Sequence, residues 1–281
     1  MAEQVLKLYD AVYITEDVIH NKVFMKELEQ RGMTKVDSIE DVPDNAVVMF
    51  SAHGVPPQVV ERAEQKGLTV VDATCPTVKS IQKEVEKAAE AGKKIIIIGN
   101  RSHAEIIALL GYAGVKSAFV VGNEMDVDLL PDFSKDDVVY FTQTTLDCLA
   151  TDAIVKKIKE KVPHIESSTQ DNICYATKER QDVVRRIAPL VDLVIVVGSS
   201  HSSNAKRLSE VALSGGAKKS VLVDSKDELT DEIFEEVSTA AITSAASTPE
   251  VLVREVVDFL ESKYGIAIEE FKLQDDTDEK G

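Results

Sequence analysis

The tightest constraint on this chain is the alternation of two apolar patterns. Short unbroken runs of Val, Ile and other apolar residues occur at AVYIT (11–15), AVVMFS (46–51), LTVVD (68–72), KIIIIG (94–99), SAFVVG (117–122), DVVYFT (137–142), DLVIVVG (192–198), SVLVD (220–224) and TAAITS (239–244). Between them lie helical patterns, among them 57–66, 77–91, 150–162, 176–191, 203–214 and 249–264. In the stretch after Thr77, Val78, Ile81, Val85 and Ala88 recur at spacings of three and four, which gives a helix one buried face. A strand that is apolar at every position is covered on both sides. That arrangement belongs to parallel sheets flanked by helices. The chain therefore reads as α/β, with mainly parallel sheets.

Punctuation divides the 281 residues into three α/β lobes: 1–75, 76–172 and 173–273. The acidic tail 274–281 lacks apolar residues and is expected to be disordered. The chain has 32 basic and 49 acidic residues, a net charge of −17, which disfavours a nucleic-acid partner because phosphate backbones need a basic face. No apolar run approaches the length of about 18 residues that a membrane helix needs. The first ten residues have no basic-then-apolar leader pattern. Three cysteines without a signal sequence fit a reducing cytoplasmic compartment better than a disulfide framework.

Chemistry concentrates where strands end. FSAHGVPP, IIGNRSHAE, YFTQTTL, VVGSSHSSN and AITSAASTPE each follow an apolar strand and precede a helix. In open α/β sheets ligands bind at the carboxyl ends of strands, and a helix N-terminus there attracts anions. Any one such Ser/Thr/Asn cluster is equally suited to capping its helix. Five together, three of them with a histidine, point to a small anionic ligand. The phosphate-loop and dinucleotide glycine fingerprints are absent, which weakens a Rossmann-type dehydrogenase reading. His53 and His103 sit at strand-to-helix turns, where imidazole can donate to a phosphate oxygen; His164 reads as a surface loop residue. Glu105 suits the first turn of a helix as a favourable dipole charge, and also suits a general acid facing the ligand. Cys148 reads as a buried structural thiol. Cys75 and Cys174 flank polar turns and form no C-x-x-C pair; two such thiols converging on one centre would suit an iron–sulfur cluster.

At these residues the chain resembles the LytB/IspH family of 4-hydroxy-3-methylbut-2-enyl diphosphate reductases. The matching stretches are EDVIHN (16–21), MFSAHGV (49–55), VVDATCPTV (70–78), HAE (103–105), FTQTTL (141–146), DNICYAT (171–177), VVGSSHSSN (196–204) and TSAAST (243–248), in family order along nearly the whole chain. The resemblance implies three pseudo-equivalent lobes around a central cavity, each giving one cysteine to a [4Fe–4S] cluster. It implies a two-electron reduction of an allylic diphosphate to isopentenyl and dimethylallyl diphosphate, the last step of the non-mevalonate isoprenoid pathway. Ferredoxin or flavodoxin would be the electron donor. Carried onto this sequence, Cys75 and Cys174 become cluster ligands. His20, His53, His103, Ser202, Ser203, Asn204 and Ser247 hold the diphosphate, Thr144 orients the substrate hydroxyl, and Glu105 supplies the proton.

The chain also departs from the family pattern. Family members carry an opening strand and an R-G-F-C-A-G-V loop with the first cluster cysteine; Met1 here falls inside the helix that should follow, so a third protein ligand is missing and a sheet edge is expected to be exposed. Cys148 has no family cluster role. Ile106, Ile107 and Ala108 stand where V-E-G is usual. Ala245 replaces a glycine, a substitution expected to strain a turn at positive φ. These departures keep a second function open, a cluster-free paralogue that binds a small diphosphate or a protein partner.

Overall fold

The structure is a computed structural model that describes residues 1–18, 21–114, 117–168, 173–269 and 271. His20 and the tail 274–281 lie outside the described residues. The chain forms two compact units, Met1–Thr177 and Lys178–Gly281.

The first unit holds two parallel sheets. α1 (Ala2–Val5), β1 (Val12–Ile14), α2 (Lys22–Gln30), β2 (Met33–Lys35), β3 (Val47–Phe50), α3 (Pro57–Gln65) and β4 (Thr69–Asp72) build the first, with strand order β2-β1-β3-β4. α4 (Pro76–Glu90), β5 (Lys94–Ile98), α5 (Ala104–Ala113), β6 (Ala118–Val121), α6 (Glu124–Asp128), β7 (Val138–Thr142), α7 (Cys148–Lys161) and β8 (Glu166–Ser167) build the second, with order β6-β5-β7-β8. α3 and α4 each begin with a proline, which lacks the N–H that a first helical residue leaves unbonded anyway. The residues expected to form one face of α4, Val78, Ile81, Val85 and Ala88, are all buried.

The isoleucine run of β5 shows why a continuous apolar strand requires helices on both sides. Ile95 and Ile97 pack with Ile81, Val85, Ile106 and Leu109 of α4 and α5, whereas Ile96 and Ile98 pack with Val127, Ile154 and Ile158 of α6 and α7. Successive side chains point to opposite faces, so each face needs its own cover.

The second unit repeats the device. α8 (Tyr175–Ile187) begins at the end of the first unit and leads into β9 (Leu193–Val197), α9 (Ser203–Ser214), β10 (Lys219–Val223), β11 (Ala240–Ser244) and α10 (Glu250–Tyr264). Its parallel sheet has order β10-β9-β11. Val194 and Val196 of β9 pack with Val184, Leu208 and Val211 of α8 and α9; Leu193, Ile195 and Val197 pack with Val256 and Leu260 of α10. The first sheet has the same four-strand order as the second, and the third has three strands among the described residues, with β11 at its edge. Among the described residues no helix is long and apolar enough to cross a membrane.

Ile97 is fully buried between two helices and two strands. Ile97→Ala is expected to lower unfolding stability by about 2–5 kcal/mol in urea denaturation, through lost transfer energy and the cavity left behind. A loss below about 1 kcal/mol would contradict the two-sided packing of β5.

Candidate functional site

The sheet orders select where a ligand can bind. In each sheet the chain leaves the first strand for a neighbour on one side and returns to form the next strand on the other: β2 and β3 flank β1, β6 and β7 flank β5, and β10 and β11 flank β9. The loops after the central pair therefore run apart and open a crevice at their carboxyl ends. The candidate residues fall at these points. His53 follows β3. His103 and Glu105 follow β5, and Thr144 follows β7. Ser202, Ser203 and Asn204 follow β9, and Ser247 follows β11. Cys75 follows β4, and Cys174 comes after β8 and immediately before α8. His20, in the stretch after β1, is outside the described residues.

In the first unit these loops are stitched together. The turn carrying His53 bends at Gly54, whose φ of +74° favours glycine; a Cβ there would also run into the carboxamide of the buried Gln82. The His53 and His103 rings meet edge to face, with centroids 5.0 Å apart and planes at 81°. His103 is the N-cap of α5, its Nδ1 accepting from the Glu105 backbone N–H at 3.2 Å. Glu105, one residue into the helix, is only 1% exposed. Both its oxygens are engaged by one residue: the Thr144 backbone N–H donates to Oε1 at 2.8 Å, and the Thr144 hydroxyl donates to Oε2 at 2.8 Å. Gln143, fully buried, accepts from the Asn100 N–H at 3.1 Å and donates to Thr145 Oγ1 at 2.8 Å, which joins the loops after β5 and β7.

Burial pushes the Glu105 carboxyl above its ordinary pKa; the two hydrogen bonds from Thr144 and the field of His53 oppose the shift without cancelling it. A carboxyl of this kind holds its proton at a pH where exposed glutamates have lost theirs, which is the property a general acid needs.

The thiols are tied into the same network through the backbone. The Cys75 N–H donates to the Ala52 carbonyl at 3.0 Å, beside His53, and the Cys174 N–H donates to the Thr144 carbonyl at 3.1 Å. Both thiols are half-buried. Among the described residues no three His, Cys, Asp or Glu side chains stand close enough together to hold a metal ion. Cys148 is the first residue of α7 and is half-buried rather than sequestered.

In the second unit, Ser202 caps α9, its hydroxyl accepting from the Ala205 N–H at 3.3 Å. Asn204, in the first turn of α9, is 6% exposed, and among the described residues its Oδ1 has no hydrogen-bond partner, which leaves its carboxamide open to a polar group. Ser247 is exposed in the turn after β11. The strain expected at Ala245 is absent: the non-glycine residues at positive φ among the described ones are Asn45 and Glu236. Ala245 is instead a buried core residue packed with Val196 and Ala205, where a methyl group is an asset.

Four contributors were not singled out by residue type or spacing. Glu16, Ser51 and Gln143 lie within the motifs above, but residue type alone gives them no role. Glu16 stands beside His53, and Arg180 on α8 donates to the Ser244 carbonyl and hydroxyl at 2.9 and 3.2 Å, which brings a guanidinium to the end of β11.

Because its pKa is raised, Glu105 binds its proton more tightly in the native state than in the unfolded chain. Native stability is therefore fully present below the ordinary carboxylate pKa and declines as pH rises through the native value. Glu105→Gln keeps an acceptor for the Thr144 N–H and removes the ionisation. Thermal melts from pH 4 to 8 are expected to show the substituted protein gaining on the parent as pH rises. Parallel curves would refute the raised pKa.

The family model described as LytB protein matches residues 1–261. The chain is 43% identical over 249 residues to the 4-hydroxy-3-methylbut-2-enyl diphosphate reductase of Tropheryma whipplei, covering 89% of this chain and 79% of that one. It is 41% identical to the reductase of the same name from Tolumonas auensis, covering 92% and 84%. Among solved structures, the E-1-hydroxy-2-methyl-but-2-enyl-4-diphosphate reductase of Plasmodium falciparum superposes with a TM-score of 0.89 at 38% identity, over 92% of this chain and 81% of that one. With a family match over most of its length and relatives well above 30% identity, the chain belongs to the LytB protein family.

Proposed function

We propose that the protein is a 4-hydroxy-3-methylbut-2-enyl diphosphate reductase. The reaction adds two electrons and two protons to an allylic diphosphate, releases the C4 hydroxyl as water and leaves isopentenyl or dimethylallyl diphosphate. The observation that carries the reading is the buried Glu105 carboxyl with both oxygens held by Thr144, at the crevice where His53 and His103 also stand.

Glu105 is the proton source and Thr144 the relay. With Glu105 protonated, the 2.8 Å contact to Thr144 Oγ1 can run in the opposite sense: Glu105 donates, and the Thr144 hydroxyl turns its own proton toward the departing hydroxyl of the substrate. This reading takes His20, His53, His103, Ser202, Ser203, Asn204 and Ser247 as the donors for the diphosphate. These are largely neutral donors, which suits an anion in a protein of net charge −17 without requiring a basic surface. In this reading a [4Fe–4S] cluster is the source of the two electrons, with Cys75 and Cys174 as two of its ligands and ferredoxin or flavodoxin as its donor. The contribution of the chain's other site residues in this reading is to anion binding and proton transfer.

The test is anaerobic reconstitution of the full chain with iron and sulfide, with iron counted and turnover of the allylic diphosphate assayed in the same sample under a chemical reductant. Turnover is expected. Thr144→Val should lower it by about 100-fold or more while pyrophosphate binding persists. Asn204→Asp should abolish pyrophosphate binding by setting a carboxylate against the anion. An iron-loaded chain that binds pyrophosphate without turnover would leave a diphosphate-binding protein in place of the reductase.

A further inference from the structure

Glu16 lies two residues beyond β1 and has no part in the proton relay or the diphosphate donors named above. Its Oε2 accepts from the Ser51 hydroxyl at 3.1 Å and lies 3.7 Å from Nδ1 of His53. Ser51 Oγ is itself 3.5 Å from the same Nδ1 and accepts from the His53 backbone N–H at 3.4 Å. Two oxygens thus converge on one ring nitrogen. If Nδ1 carried a lone pair, the Glu16 carboxylate would face it, and Ser51 has only one proton to place between them. With the proton on Nδ1, the groups are matched: Ser51 donates to Glu16, and the imidazole N–H points to the Ser51 oxygen with the Glu16 carboxylate 3.7 Å away.

His103 is set the other way. Its Nδ1 accepts the Glu105 N–H as the cap of α5, so its proton belongs on Nε2. A second proton on His103 would break the cap.

We propose that Glu16 is a positioning residue that fixes His53 in its Nδ1–H form, so that the two facing imidazoles have opposite tautomers. Its bearing on diphosphate binding rests on the function proposed above. Among the described residues, Glu16 and Glu105 are carboxyl groups that act on this pair. Burial raises the Glu16 carboxyl, but its interactions with His53 and Ser51 outweigh that and hold it below the ordinary glutamate value, as a carboxylate partnered by an N–H should be.

The test reads tautomers directly. The full chain, labelled with 15N in its imidazole rings and free of metal and ligand, is observed by long-range 1H–15N correlation at neutral pH. His53 is expected as Nδ1–H and His103 as Nε2–H. In Glu16→Ala, His53 should revert to the Nε2–H form that imidazole prefers in water. Glu16→Gln, whose amide oxygen still accepts, should keep Nδ1–H. His164, on the loop before β8, reports whether each variant is folded. Titration with inorganic pyrophosphate should show an affinity about tenfold weaker in Glu16→Ala, the size of one charge-assisted hydrogen bond. An unchanged His53 tautomer in Glu16→Ala overturns the proposal. Failure of the unsubstituted protein to bind pyrophosphate, with the tautomers as expected, overturns the diphosphate reading and leaves the Glu16 assignment standing.

Discussion

A carboxyl group almost wholly withdrawn from water is costly unless its oxygens find donors. The site in the first unit is organised around one such group. Glu105 obtains both donors from Thr144, and that single pairing fixes the loop after β5 against the loop after β7. The same contacts place His103 as the cap of α5, and His103 meets His53 edge to face. Cys174 hangs from the Thr144 carbonyl and Cys75 from the carbonyl beside His53. Remove the carboxyl, and the residues that gather there lose their common reference point.

The fold makes such a place three times. Each parallel sheet has its first strand flanked by the next two, so each has a crevice at the carboxyl ends of a central pair. In the first two sheets a fourth strand leads on toward a cysteine. The crevices differ in what fills them. The first sheet contributes an imidazole beside a carboxylate and a hydroxyl, the second a buried acid bonded to a threonine, and the third a helix-capping serine and a buried carboxamide with an open oxygen. One architecture thus hosts three chemical roles, because only the loop side chains change.

Much of the framework was legible in the residues. The isoleucine run at 95–98 could be nothing but a strand covered on both faces, and the spacing after Thr77 marked the buried side of α4 correctly. β2 and β8 escaped because Met33–Lys35 and Glu166–Ser167 carry almost no apolar pattern; they are strands by virtue of the ladder they join. α2 is also hard to read from the residues, since its capping residue Asn21 sits inside a motif whose side chains suggest chemistry. Ala245 was misjudged because a glycine position in a family pattern does not reveal φ, and here the backbone needs no positive value.

The sequence by itself determined the fold class, the strand ends on which chemistry would sit, and the residue types available there, since these follow from local periodicity and from what each side chain can donate, accept or hold. Only the tertiary structure decided which of them meet. Glu105 and Thr144 are 39 residues apart in the chain, Glu16 and Ser51 are 35 apart, and each pair closes only because the sheet order puts their strands side by side. A proton's position on an imidazole depends on those neighbours, and so it could not be read before the strands were ordered.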